Sequence, residues 1–262
     1  VISGRGSMKD YPGYNSANPF GYTVQEVVIT EGVTSVGEWA FYGKACTSVI
    51  LPDGLLKIGA HAFDGCSSIT SIVIPDSVIT VGVDAFKGCS KIERIDFPAG
   101  MTAVPASLFS SGIPTHLYRV TFAGAVDIVG SGAFTHGAGA RSSLGTVLFQ
   151  SSPQTVAANA FSGLTANSVI YTQGAPSASM KAAVKGYLAD LNGGSISDEV
   201  FNTLQSARLP KTLTHSDSGL KFQGWRASSD NQLVTIQSQW SDLFDISSYP
   251  QGTVFTAQWE CL

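Results

Sequence analysis

Charge is what this chain has least of. Asp, Glu, Lys and Arg make up 13% of its 262 residues, about half the usual share. The 15 Lys and Arg stand against 19 Asp and Glu, for a net charge of -4. There is no basic field to hold phosphates, which argues against a nucleic-acid partner. No run of about 18 apolar residues occurs, so no segment reads as a membrane-inserting helix. No secretory leader is visible. The chain opens at Val1 without an initiator Met and reads as a trimmed or mature segment, so a missing leader is no argument for the cytoplasm.

Catalytic and metal motifs are equally scarce. The four cysteines (Cys46, Cys66, Cys89 and Cys261) form none of the tight Cys or His pairs that a metal site needs. No G-x-S-x-G is present, and Gly4-Arg5-Gly6 lacks the strand–turn–helix context of a dinucleotide site. His61, His116, His136 and His215 share no motif. A catalytic triad is set by geometry, and spacing supports none here. The reading is of a non-enzyme with no cofactor and no metal. Apolar residues still reach 44%, so the chain has the means to fold.

What is present is repetition. Phe41, Phe63, Phe86, Phe109, Phe134 and Phe161 are spaced by 22, 23, 23, 25 and 27 residues. Five residues before each stands a β-branched apolar residue: Val36, Ile58, Val81, Val104, Val129 and Val156. Four before stands Gly37, Gly59, Gly82 or Gly130, with Pro105 and Ala157 as exceptions. Ala or Leu immediately precedes each Phe. Between the Phe blocks lie short β-prone runs, among them Val49-Ile50-Leu51, Ile72-Val73-Ile74 and Ile95-Asp96-Phe97, three of which end in Pro. One repeat cannot bury its own apolar face. Stacked neighbours make a continuous core and a parallel sheet. Seven strands would span roughly 30 Å. The fourth and fifth copies carry insertions after the Phe (SSGIPTHLY and THGAGARSSLG), which in a stack fall on loops.

Alternation within each strand assigns its faces. Val49, Leu51, Ile72, Ile74, Ile95, Phe97, Val120 and Phe122 should point in. Val28, Ile50, Val73, Asp96, Thr121, Leu148 and Ile170 should point out. Arg94 and Arg119 lie in the neighbouring outward column. The outer face should therefore have apolar ends and a polar centre at Arg94, Asp96, Arg119 and Thr121, the candidate binding residues. An apolar stripe on a solvated sheet marks an interaction surface, although β-branched residues also simply favour strands. A charged centre also serves to oppose edge or face association.

Smaller features have structural readings. Asp53 and Asp76 follow Pro and precede Gly or Ser, as turn residues do. One carboxylate per turn falls short of a calcium ladder. Cys66 and Cys89 share a repeat position and should be buried free thiols, their side chains pointing the same way, which suits a disulfide poorly. Cys261 should be exposed. Leu209-Pro210-Lys211-Thr212 matches four residues of a sortase signal. Leu213 stands where Gly is required, and a loop is expected there.

The pattern I-x-x-x-A-F-x-G-C followed by L/I-x-x-I-x-I-P, from about Gln25 to Tyr171, resembles the BspA-type leucine-rich repeat family. The resemblance implies a mainly β leucine-rich-repeat solenoid of about six repeats of roughly 23 residues, in a secreted or cell-surface bacterial protein used for adhesion. Further on, GLKFQGWRA and GTVFTAQWE resemble the signatures of the Listeria–Bacteroides repeat, a small β-grasp-like module with Trp225, Trp240, Phe244, Phe255 and Trp259 as its core. The expected organisation is a lead-in strand and aromatic cap over residues 1–26, the solenoid over 27–176, a capping helix over 177–194, and the small module over 195–262. The helix rests on the spacing of Met180, Val184, Leu188 and Leu191, with Asn192-Gly193-Gly194 to end it.

Three functions follow as expectations. The first is an extracellular binding or adhesion protein whose partner is a protein or glycan on a host or neighbouring cell, met by the sheet face and inserted loops. The second is a spacer in a larger surface protein. The third is a hydrolase hidden in the tail, for which the tail offers little room.

Overall fold

Most of the recurring phenylalanines stack on the ring of a neighbouring repeat. In the computed structural model, which describes residues 1–13, 19–21, 23–109, 113–135, 144–197, 200, 208–234 and 243–261, the Phe41 and Phe63 rings lie 5.3 Å apart at 10°. Phe63 and Phe86 follow at 5.8 Å and 2°, and Phe134 and Phe161 at 5.4 Å. Phe20 adds a ring before the first repeat, 5.2 Å from Phe41, and Tyr11 meets Phe20 edge-on. Aromatic rings of the N-terminal segment thus extend the column before the first repeat. Phe97, Phe122 and Phe149 build a second column at 4.9 Å steps.

The glycine column follows from how closely the coils approach. A Cβ on Gly82 would lie 2.4 Å from the Ala60 backbone nitrogen, and one on Gly130 the same distance from that of Ala106. Two residues before the Phe the backbone turns left-handed in five coils: Trp39, His61, Asp84, Ser107 and Gly132 all have φ between 52° and 63°. Between these two positions the chain bends sharply at the same place in each coil, which lets the coils nest.

Two ladders run along the stack. The shorter elements (Val33–Val36, Lys57–Ile58 and Thr80–Val81, then Ala103–Val104, Ile128–Val129 and Thr155–Val156) pair in parallel within two groups. Gly6–Ser7 joins the first group. Their second or last residue is the β-branched residue five before the Phe, and it is buried in all six coils.

The main ladder contains β1 (Glu26–Val28) and β2 (Ser48–Ile50), which pair with each other. It resumes with β3 (Arg94–Phe97), β4 (Arg119–Phe122), β5 (Thr146–Phe149) and β6 (Val169–Thr172). Ile72-Val73-Ile74, expected as a strand between them, is not one. Its alternation persists without the ladder: Ile72 and Ile74 are buried and Val73 is exposed. Side-chain packing holds this segment.

The sheet also continues past the repeats. Helix α1 covers only Ala178–Ala183, with Ser177 as N-cap accepting from the Met180 N–H. The expected helix over residues 177–194 therefore stops early. Tyr187–Asp190 is instead a strand, β7, parallel to β6. The physical reason is that this segment has two apolar faces. Leu188 enters the solenoid core, while Tyr187 and Ala189 enter a second core, and an open strand edge satisfies its backbone. The apolar spacing that suggested a helix coincides with that strand.

The tail supplies β8 (Arg208–Pro210), β9 (Leu220–Ala227), β10 (Leu233–Val234), β11 (Leu243–Asp245) and β12 (Val254–Cys261). β12 pairs in parallel with β7, β9 is antiparallel to β12, and β10 to β9. The result is an eight-stranded sheet in the order β10-β9-β12-β7-β6-β5-β4-β3, beside a separate antiparallel β8-β11 pair. One sheet serves both the repeats and the tail.

The candidate binding face

The outer side of this sheet is where the proposed site residues lie. Register places Asp96, Thr121, Leu148, Tyr171, Ala189 and Phe255 side by side in one outward row. Arg94, Arg119, Thr146, Val169 and Tyr187 form the next. The alternation breaks phase at β6. Ile170 stands opposite Val147 and belongs to the solenoid core, so Tyr171 is the outward residue. Ile170 reads as outward in the sequence because its run, Val169-Ile170-Tyr171, is one residue out of phase with the others.

The C-terminal half of this face is covered. Leu148, Val169, Tyr171, Tyr187, Ala189 and Phe255 share a second core with Leu209, Leu213, Trp225, Phe244 and Ile246. The Trp225 indole N–H donates to the Pro210 carbonyl at 2.8 Å. The Tyr171 hydroxyl donates to the Arg208 carbonyl and that of Tyr187 to the Tyr249 carbonyl, each at 3.1 Å. Burial pushes the Tyr171 phenol well above its ordinary range. Of the aromatic core expected for the tail, Trp225 and Phe255 are buried at 0% and Phe244 at 5% exposure, Trp259 packs at the margin, and Trp240 lies outside the described residues. Of the Leu-Pro-Lys-Thr stretch expected as a loop, Leu209 and Pro210 belong to β8, with Leu209 buried, whereas Lys211 and Thr212 follow it outside any strand.

The N-terminal half is open. Ile50 is 51% exposed and Val73 is 81% exposed, in line with the half-buried Val28. Glu26 and Ser71 flank them in the open, with Ser48 half-buried. This strip carries adjacent apolar side chains on a solvated surface.

Between the halves stands the polar centre, and here the expected exposure is only partly met. Arg94 and Asp96, two residues apart on the same face of β3, are half-buried and pair with each other. Asp96 Oδ1 is buried without a hydrogen bond. Arg119 and Thr121 are buried, at 4% and 9% exposure, and the Arg119 Nε–H donates to Thr121 Oγ1 at 3.3 Å. As exposed binding residues Arg119 and Thr121 are therefore corrected. They lie next to the covered half, where outward no longer means solvent. Ile50 and Val73, read in the sequence as part of an apolar end, are the accessible residues of the face.

Several of the remaining chemistry-bearing residues have structural partners. Cys66 and Cys89 are free, fully buried thiols donating to the carbonyls of Phe41 and Phe63 at 3.0 and 3.1 Å. Burial raises the Cys89 thiol far above its ordinary value, so it stays protonated and inert. Cys261 is exposed. Pro52 and Pro75 open tight turns closed by the Leu55 and Val78 N–H groups at 3.0 Å, as the turn reading of Asp53 and Asp76 requires. His61 Nδ1 meets Asp64 Oδ2 at 2.9 Å, and its ring stacks on Trp39 at 3.9 Å. His116 Nδ1 lies 2.6 Å from the Ser90 carbonyl oxygen. His136, most of the second insertion (136–143) and the start of the first (110–112) lie outside the described residues. Among the described residues, no helix is long and apolar enough to cross a membrane.

The model of the BspA type leucine rich repeat region matches six copies over residues 20–141. A leucine-rich repeat protein of T. pallidum is similar at 28% identity over 56% of this chain and 66% of its own, with a TM-score of 0.45. One from Bacteroides ovatus is similar at 20% identity over 64% and 55%, with a TM-score of 0.31. A leucine rich cell surface protein from Faecalibacterium prausnitzii is similar at 18% identity over 70% and 63%, with a TM-score of 0.29. The chain spans less than two thirds of the length of each. No curated protein matches it. The stack of phenylalanine-centred coils and the six matched copies agree: residues 20–141 of this mostly β chain are similar to the BspA type leucine rich repeat region.

Proposed function

We propose that this chain is a secreted or cell-surface binding and adhesion protein. It meets a protein or glycan of a host or neighbouring cell with the open end of its outer sheet face. Val28, Ile50 and Val73 make the contact, and the Arg94–Asp96 pair borders it. One observation carries the reading: the same sheet face is buried beneath the chain's own tail over one half and left bare, apolar side chains included, over the other. An apolar strip kept in solvent is a typical mark of an interaction surface. In this reading residues 195–262 serve as the cover that limits the site to the N-terminal coils.

The test is a binding screen of the purified chain against matrix proteins, mucins, glycans and bacterial cells, beside an Ile50→Asp/Val73→Asp variant. Saturable binding lost in the variant, with its melting temperature unchanged, supports the proposal. Binding that survives in the variant places the contact elsewhere. Absence of binding throughout favours a spacer within a larger surface protein.

A further inference from the structure

The sheet is longer than the stack of coils behind it. On its inner side the row Phe97, Phe122, Phe149, Thr172 and Asp190 continues through Thr256 to Arg226, each directly opposite the next. The phenylalanines of that row lie in the solenoid core, whereas Thr256 is half-buried and Arg226 exposed. Strands β12 and β9 therefore overhang the last coil. The overhang, the loop after β6 and helix α1 enclose a cleft of about 470 Å³.

Two cations line this cleft from different elements, Lys181 on α1 and Arg226 on β9, and among the described residues no acid does. Neither has a carboxylate within ion-pairing distance among the described residues. Arg226 is nevertheless held in place. Its Nε–H donates to Gln258 Oε1 at 3.3 Å and Nη1–H to the Asn231 carbonyl at 3.1 Å. Both acceptors are neutral, so they fix the guanidinium without cancelling its charge. The acid in the same row, Asp190, is buried and accepts the Asn192 N–H at 2.8 Å. In a chain of net charge -4, two uncompensated cations in one concavity focus a local positive potential.

The rest of the wall gives the ligand's class. Ser228, Asn231 and Thr256 offer hydroxyl and amide groups, and Pro176 and Val254 offer small apolar surface. Among the described lining residues none is aromatic. We infer that the cleft binds a carboxylate-bearing sugar unit. Arg226 and Lys181 would take the carboxylate, as guanidinium and ammonium groups do, and the polar wall would take its hydroxyls. This site is separate from the open sheet face.

Isothermal titration of the whole chain with glucuronic acid, N-acetylneuraminic acid, glucose and acetate tests the inference. The expected result is saturable binding of at least one acidic sugar, with glucose and acetate weaker by about tenfold or more. Lys181→Met and Arg226→Gln should each weaken the acidic sugar by about tenfold or more at an unchanged melting temperature. Failure of both acidic sugars to saturate overturns the inference. So does acetate binding as tightly as they do, which would reduce the site to a charge, and so does undiminished binding in both variants. The Ile50→Asp/Val73→Asp variant should bind the acidic sugar normally, so loss at one site is distinguishable from loss at the other.

Discussion

Phe86 stacks on Phe63 and has no exposed surface. Truncating it removes a ring that its neighbours cannot fill, because they are fixed by their own coils. Phe86→Ala should cost about 3–5 kcal/mol, read as a lower denaturant midpoint, and an unchanged midpoint would contradict the stacked core. Gly82 makes a sharper case, since its added methyl would meet backbone atoms of Ala60 and Gly59 at 2.4 to 2.7 Å. Gly82→Ala should destabilise by about 1–3 kcal/mol even though it adds apolar surface. Asp190 tests the opposite sign. Burial pushes its carboxyl above the usual carboxylate range, so the folded state holds its proton where the unfolded state releases it. Stability from this group is therefore present at low pH and lost as pH rises through the raised value. Asp190→Asn keeps an acceptor for the Asn192 N–H and removes the charge. It should raise the melting temperature at pH 7 and have a smaller effect at pH 4, as measured by calorimetry.

At the level of elements, the repeats were legible because six copies average out local accidents. The Phe, Gly and β-branched columns each mark a position where neighbouring coils touch, and each contact recurs. Tyr187–Asp190 occurs once, and its apolar residues satisfy a helical spacing as well as a two-faced strand. Only the open edge of β6, a tertiary fact, decides between them. The covered half of the sheet was hidden for a related reason. Leu148 reads as an outward residue of a solvated face, and Tyr187 falls within the expected helix, because the segments that bury them lie farther along the chain. Arg119 and Thr121 differ from the sequence reading on the same ground, while Ile50 and Val73 agree with it because no described segment covers them. Deleting residues 195–262 should expose this second core. The shortened chain is expected to bind a hydrophobic dye strongly and to self-associate on gel filtration, and a monomeric, dye-silent product would contradict the shared sheet.

At the level of the whole molecule, a continuous sheet with one half roofed by the tail leaves a defined apolar strip at its other end. A partner captured in the binding screen allows the direct measurement, amide hydrogen exchange of the chain with and without that partner. The account predicts new protection in Glu26–Val28, Ser48–Ile50 and residues 71–74, with β7 and β12 equally slow in both states. Protection confined to the tail, or to the covered half of the sheet, would contradict it.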